Sequence, residues 1–304
     1  MTKAPFVAIV SSTSLDAEAD ARLAQLVEHP LDVGRARGSS PLPRTMKLVS
    51  LNTWGGTQLA PLLSFVEKQA DSTDVFCFQE VAVSERIQTR DEKHRHNLLR
   101  DLGEVLPDFQ SIYAPFQEGF NWEPIENDVM LCNVIFVRKD HTILKHGGTF
   151  VHGQKNGLDL SQAKEGNWYT MPRLVQFAQI EGFPAVFNFH GFWHKDGKHD
   201  MPERIQQSEK ILEVMQQFEG RKILCGDFNL NIDTKSLSML EERGGLRNLI
   251  KDHRIPTTRS SLYPKKAQMP FADYMLVSPD IKIKYFTVPD EPASDHLPMV
   301  LEFE

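Results

Sequence analysis

The chain has 304 residues, 40% of them hydrophobic and 25% charged, which excludes collagen-like, low-complexity and broadly disordered classes. Its 34 basic and 41 acidic residues leave a net charge of −7, which argues against tight binding of long nucleic acid through a broad positive surface. No apolar run reaches the roughly 20 residues needed to span a bilayer. The three cysteines (Cys77, Cys132, Cys225) lie in apolar, strand-like runs without C-x-x-C spacing, so we expect core residues in a reducing, cytoplasmic setting.

Residues 1–45 read as foreign to the rest of the chain. Gly38-Ser39-Ser40-Pro41 is what GGT-TCG-AGT-CCC encodes, which resembles the T-arm of a transfer-RNA gene. Ala24-Gln25-Leu26-Val27-Glu28 matches a D-arm, GCT-CAG-CTG-GTA-GAG, in the right order. We therefore expect a disordered, spurious extension, with Met46 as the start of one domain over 46–304.

From Met46 onward, strands and helices alternate. Met46–Asn52 reads as a buried strand. Leu59, Leu62, Leu63, Phe65 and Val66 give Gln58–Ala70 a helical face. Asp74–Gln79 is a second buried strand, and Ser84–Leu102 a charged, solvent-facing helix. Strands are expected at Phe109–Pro115, Val129–Val137, Thr142–Val151, Leu174–Ile180 and Ala185–Phe189. An amphipathic helix over Pro202–Phe218 precedes strands at Ile223–Cys225, Asp273–Val277, Ile281–Val288 and Met299–Phe303. The long irregular segments Gln117–Asn127 and His152–Tyr169 are candidates for functional loops. Strands outnumber helices and several could form hairpins, which favours α/β architecture with mixed sheets covered by helices.

Buried strands that end repeatedly in carboxylates and amides need a reason, because unpaired polar groups are costly. Here the endings are Leu51-Asn52-Thr53-Trp54, Gln79-Glu80, Asn188-Phe189-His190, Gly226-Asp227-Phe228-Asn229, Asp273-Tyr274 and Ser294-Asp295-His296. In this order the blocks resemble the endonuclease/exonuclease/phosphatase superfamily over essentially all of 46–304. The resemblance implies a deoxyribonuclease-I-like, four-layer α/β sandwich: two mixed β-sheets packed face to face with helices outside.

It also implies a divalent-metal-dependent phosphoesterase. Such hydrolysis needs an activated water, shielding of the phosphate charge and help for the leaving oxygen. Mg²⁺ (or Mn²⁺) prefers oxygen ligands, so Glu80 is the principal expected ligand, with Asn52 and Asp295 completing the metal set. Asp227 and Asn229 leave one strand face together; by resemblance, Asp227 orients or deprotonates the attacking water, and Asn229 positions that water and a phosphate oxygen. His190 would contact the phosphate. His296 is the candidate for proton transfer, with Asp273 as the carboxylate that fixes its tautomer and raises its pKa. A zinc hydrolase is a poor fit: His190 and His194 are four apart, but Gly191 and Trp193 oppose the helix that H-x-x-x-H binding requires.

The substrate is less legible. The Asn188–His190 block departs from apurinic-site endonucleases, which lack that histidine. Trp168, with Phe120, Trp122 and Tyr169, lies in the long loops and could stack bases, and Trp54 follows the first strand. Arg204 and Gln207 are one helical turn apart and could face the phosphate; Arg259 is a similar candidate. We expect a phosphodiesterase acting on nucleic-acid ends or short single strands. The alternative is a phosphatase or phosphodiesterase for small-molecule or lipid-headgroup phosphates. A binding module that has lost catalysis fits less well, since Asn52, Glu80, Asp227, Asn229, Asp295 and His296 are all present. No obligate protein partner is evident.

Overall fold

In the computed structural model, residues 7–8, 44–84, 95–125 and 128–304 are described. Among them, thirteen strands form two mixed sheets. The seven-stranded sheet comprises β1 (Val7–Ala8), β2 (Met46–Asn52), β3 (Val75–Val83), β4 (Phe109–Glu118), β5 (Met130–Arg138), β12 (Ile283–Thr287) and β13 (Met299–Phe303). Its order is β1-β4-β5-β3-β2-β13-β12. The six-stranded sheet comprises β6 (Ile143–His152), β7 (Arg173–Ile180), β8 (Ala185–His190), β9 (Lys222–Asp227), β10 (Arg247–Asn248) and β11 (Asp273–Val277), ordered β10-β11-β9-β8-β7-β6.

The continuous apolar runs explain the layering, because strands covered on both faces have no polar side to alternate with. Leu48, Cys77, Ile135 and Val137 of one sheet pack with Phe187, Phe189 and Leu224 of the other in one buried cluster. On the far side of the first sheet, α1 (Leu59–Ala70) and α2 (Leu98–Val105) bury Leu62, Phe65, Val66 and Leu102 against Val49, Phe76 and Phe78. The second sheet is covered by α4 (Pro202–Gln216), α5 (Lys235–Glu242) and α6 (Leu249–Asp252). A short α3 (Leu160–Ala163) sits inside the segment expected to be irregular. The result is the four-layer sandwich that the resemblance implied, and all three cysteines are buried in it.

A polar tie crosses the apolar interface. The Asn188 amide donates to the Phe78 carbonyl at 3.0 Å and the Val134 carbonyl at 3.1 Å, and accepts from Gln79 Nε2 at 2.7 Å. Each of these partners lies in the opposite sheet, so Asn188 fixes how the sheets face each other.

Several boundaries differ from the sequence reading. The third strand runs on through Glu80 to Val83. The charged helix expected over Ser84–Leu102 spans only Leu98–Val105, where the Asn97 side chain caps its first turn. Residues 85–94 of that expectation lie outside the described residues. Helix α5 went unrecognised because its cap is remote: Asp200 accepts from the backbone N–H groups of Lys235 and Ser236 at 2.7 and 2.8 Å.

Candidate active site

Strand register gathers the polar strand ends. Asn52 ends β2 beside Gln79 of the parallel β3, and His190 ends β8 beside Asp227 of the parallel β9. Asp227 in turn lies opposite Asp273 at the start of the antiparallel β11. Because the sheets face each other, these ends meet across the interface. Asn52 Nδ2 donates to Asp227 Oδ2 at 3.1 Å and to Glu80 Oε1 at 3.0 Å, while its Oδ1 accepts from the Trp54 backbone N–H at 3.0 Å.

Local backbone departs from regular strand where function concentrates. β3 bulges between Phe78 and Val81, and Glu80 within the bulge has φ 60°, a conformation that costs a non-glycine residue about 1–3 kcal/mol. Asn229 also has positive φ, 53°, and its N–H donates to Asp227 Oδ1 at 2.9 Å. Gly226 is required here: with φ 133°, a Cβ would lie 2.0 Å from the Phe189 carbonyl oxygen.

Glu80, Asp227 and Asn229 border a cavity of about 330 Å³, together with His190, Asp295 and His296. Asp227 Oδ2 stands between two imidazoles, 3.7 Å from His190 Nε2 and 3.6 Å from His296 Nε2. Asp273 and His296, expected as partners, are joined: both carboxylate oxygens lie 2.8 Å from His296 Nδ1. This assigns the proton to Nδ1 and turns Nε2 toward Asp227 and Asp295, the latter 3.7 Å away. His190 Nδ1 accepts from Arg173 Nη1 at 3.2 Å, which leaves Nε2–H toward Glu80 and Asp227.

One electrostatic expectation is overturned. The pairing with Asp273 does not leave the pKa of His296 raised; burial, followed by the Arg259 guanidinium bonded to Nε2, pushes the imidazole down to about 4 against the Asp295 and Asp227 charges. Burial likewise raises the Asp273 carboxyl, and it lowers His190, where Arg173 adds to the effect. Both histidines are therefore neutral near pH 7. The Glu80 carboxyl is pushed up to about 8 by burial; the Asn52 hydrogen bond opposes that shift, while the nearby Asp295 and Asp227 charges add to it.

The donor set suits a hard divalent cation. Glu80, His190 and Asp227 offer ligand atoms within 4.8 Å of one another, as do Asp227, Asp273 and His296. Every cysteine is buried in the core, so the soft ligands a zinc site would favour are elsewhere. Mutual repulsion among Glu80, Asp227 and Asp295 is what a cation between them would relieve. Asn52 is placed as a bridge between carboxylates rather than as a free oxygen donor.

The substrate candidates divide. Trp54 and Trp168 line the cavity, and so do Trp122 and Trp193; these are all four tryptophans of the chain. Trp168 and Trp193 have centroids 5.5 Å apart. Arg204 reaches the cavity wall, yet its guanidinium donates to backbone carbonyls: Gly197 at 2.7 Å, Phe192 at 3.4 Å, and His199. Gln207 accepts from the Phe192 N–H at 3.1 Å. Arg259 is at the centre, bonded to Asp295 Oδ2 at 3.1 Å. Arg173, Lys198 and Tyr263 also line the cavity, and no motif in the sequence marked them.

A family model described as the Endonuclease/Exonuclease/phosphatase family matches residues 49–296. No curated protein matches the sequence. Among solved structures, a family protein from Bacteroides thetaiotaomicron is similar at 18% identity and TM-score 0.62, covering 87% of this chain and 96% of that one. A mannosyl-6-phosphatase from the same organism is similar at 19% identity and TM-score 0.58, covering 85% and 99%. The human Nocturnin catalytic domain is similar at 15% identity and TM-score 0.58, covering 86% and 93%. At these identities the likeness is one of fold.

Proposed function

The chain belongs to the endonuclease/exonuclease/phosphatase family, and from that premise we propose that it is a divalent-metal-dependent phosphodiesterase acting on nucleic-acid ends or short single strands. The observation that carries the reading is the Asp227 carboxylate, held by Asn52 and Asn229 and faced by the Nε2 atoms of both His190 and His296. The four tryptophans that line the cavity support a substrate with planar bases, since stacking on aromatic side chains is worth about 1–3 kcal/mol per base.

In this reading Glu80 and Asp295 would hold Mg²⁺ or Mn²⁺, which would supply shielding of the phosphate charge and polarisation of the ester. Asp227 orients the attacking water and takes its proton, while Asn229 fixes the carboxylate. His190, held by Arg173 as the Nε2–H tautomer, donates to a non-bridging phosphate oxygen. His296 Nε2, 3.6 Å from Asp227 Oδ2, takes that proton on from the carboxylate and passes it to the leaving oxygen, and the Asp273 carboxylate stabilises the imidazolium between the two transfers. Arg259 and Arg173 supply fixed positive charge where the transition state gathers negative charge.

A small-molecule phosphoesterase is the second reading, favoured by a cavity near the low end of the range for ligand sites, which roughly fits one nucleotide-sized group. Both readings are tested by a panel of phosphorylated oligonucleotides and small phosphoesters assayed with Mg²⁺, Mn²⁺, Zn²⁺ and EDTA. Hydrolysis of oligonucleotides with Mg²⁺ or Mn²⁺ that stops in EDTA is expected. Hydrolysis only of small esters selects the second reading, and full activity in chelator or with Zn²⁺ alone overturns the metal assignment.

A further inference from the structure

We propose that the cavity contains a second anion subsite, formed by Lys198 beside Tyr263 and by Lys195 and Lys265 of the same lining, which seats a phosphoryl group other than the one hydrolysed. The substrate is then a phosphoester carrying a second phosphate. This rests on the phosphoesterase reading above.

Lys198 is the informative residue. Lysine is almost never fully buried unless paired, yet Lys198 is 6% exposed. Its ammonium donates to the Phe271 carbonyl at 2.7 Å, and no carboxylate among the described residues forms an ion pair with it. An ammonium has three donors, so two are left for a ligand. Burial, with Arg259 nearby, pulls Lys198 down to about 7, against the charges of Asp227, Asp273 and Asp295, none of which lies at ion-pair distance. The hydrolytic chemistry needs no contribution from it. The other buried cations of the site are engaged, Arg259 with Asp295 and Arg173 with His190.

The surroundings are built to hold Lys198 in place. Arg204, 1% exposed, ties down the carbonyls of Phe192, Gly197 and His199, and the Asn231 N–H donates to the Lys198 carbonyl at 2.9 Å. Arg204 is thus a positioning residue for the segment that bears both Lys195 and Lys198. The Tyr263 ring is shared by two cations, with Arg259 Cζ 4.2 Å and Lys198 Nζ 5.8 Å from its centroid. Exposed Lys195 and Lys265 line the same cavity and extend the positive wall to its mouth.

Nucleic-acid ends and bisphosphorylated small molecules both present paired phosphoryl groups. Binding is read by intrinsic fluorescence in EDTA, because all four tryptophans line the cavity. The ligands are thymidine monophosphate, a thymidine bisphosphate and a 5′-phosphorylated trinucleotide. A bisphosphorylated ligand is expected to bind at least about ten-fold more tightly than the monophosphate, as charge-assisted bonds to a second phosphate would give. Whichever of the two is tighter identifies the source. Lys198→Met should abolish most of that ratio. The exposed double variant Lys195→Ala/Lys265→Ala, which leaves the core untouched, should reduce it several-fold. Equal affinities, no binding of any ligand, or a ratio unchanged in both variants overturns the subsite. Loss of metal-dependent hydrolysis across the panel, with the ratio intact, would instead sink the phosphoesterase reading.

Discussion

Replacing Glu80 by Gln should stabilise the metal-free protein and, at the same time, remove its response to metal. The Glu80 carboxyl, ordinarily near 4.5, is held at about 8 by burial and by the Asp295 and Asp227 charges. A carboxyl raised on folding binds its proton more tightly in the native state than in the unfolded chain. Wild-type stability from this group is therefore full at low pH and is lost as pH rises from the unfolded value to about 8. At pH 7 roughly 2.5 units of that interval have been crossed, which at 1.36 kcal/mol per unit is about 3 kcal/mol. The side chain keeps 20% of its surface in water, so this is an upper bound. Gln retains an oxygen for Asn52 and carries no charge.

For a domain of this size 1 kcal/mol moves Tm by about 2–4 °C, so Glu80→Gln should melt several degrees above wild type in EDTA at pH 7. The gap should widen from pH 5 to pH 8, and the comparison cancels the other titrating groups. Metal should reverse the order. At 1,000 times its Kd a bound ion stabilises by about 4.1 kcal/mol, more than the deficit of about 3 kcal/mol, and the variant should gain little of that. Differential scanning calorimetry in EDTA and in Mg²⁺ at pH 5, 7 and 8 reads every arm. A pH-independent difference in EDTA would show that Glu80 carries no buried charge. An equal Mg²⁺ gain in both proteins would remove Glu80 from the metal site.

Three further outcomes are expected. Asp273→Asn should lower the single-turnover rate by roughly 10²-fold with KM nearly unchanged, because it removes the charge that steadies the His296 imidazolium; a wild-type rate and pH profile would make Asp273 a mere strand end. Asn188→Ala should destabilise the fold by about 3 kcal/mol, since it strips partners from Gln79 and from two carbonyls, yet leave kcat per folded molecule intact; a large kcat loss at full folding would place Asn188 in the chemistry. Met46–Glu304 alone should retain turnover and most of its Tm, although it loses the two-residue pairing of Val7–Ala8 with β4 and the Arg44–Asp74 bridge. Arg44 is 60% exposed, so that bridge is worth at most about 1 kcal/mol; a drop of more than about 10 °C would show that the first 45 residues are part of the fold.

The sequence showed its strands because burial on both faces leaves a continuous apolar run, and it showed the strand ends because polar residues there break that run. Distance in the chain limited what else could be read. Helix α5 is capped by Asp200, far upstream, so its start carries no local signal. Arg173 and Lys198 look like ordinary members of a set of 34 basic residues until the sheets bring them to one cavity. Arg204 was placed on the correct side of the molecule but given the wrong neighbours, since a helical face says nothing about which carbonyls it meets. The same limit explains the inverted pKa of His296. Its pairing with Asp273 was legible from residue types and chain order, and a carboxylate alone would raise the imidazole. The sign is set instead by burial and by Arg259, which reaches Nε2 from a separate loop through the bridge that pairs Arg259 with His296. Pairwise chemistry can be read along a chain, but the net charge of a site is a sum over segments, and only the folded chain adds them.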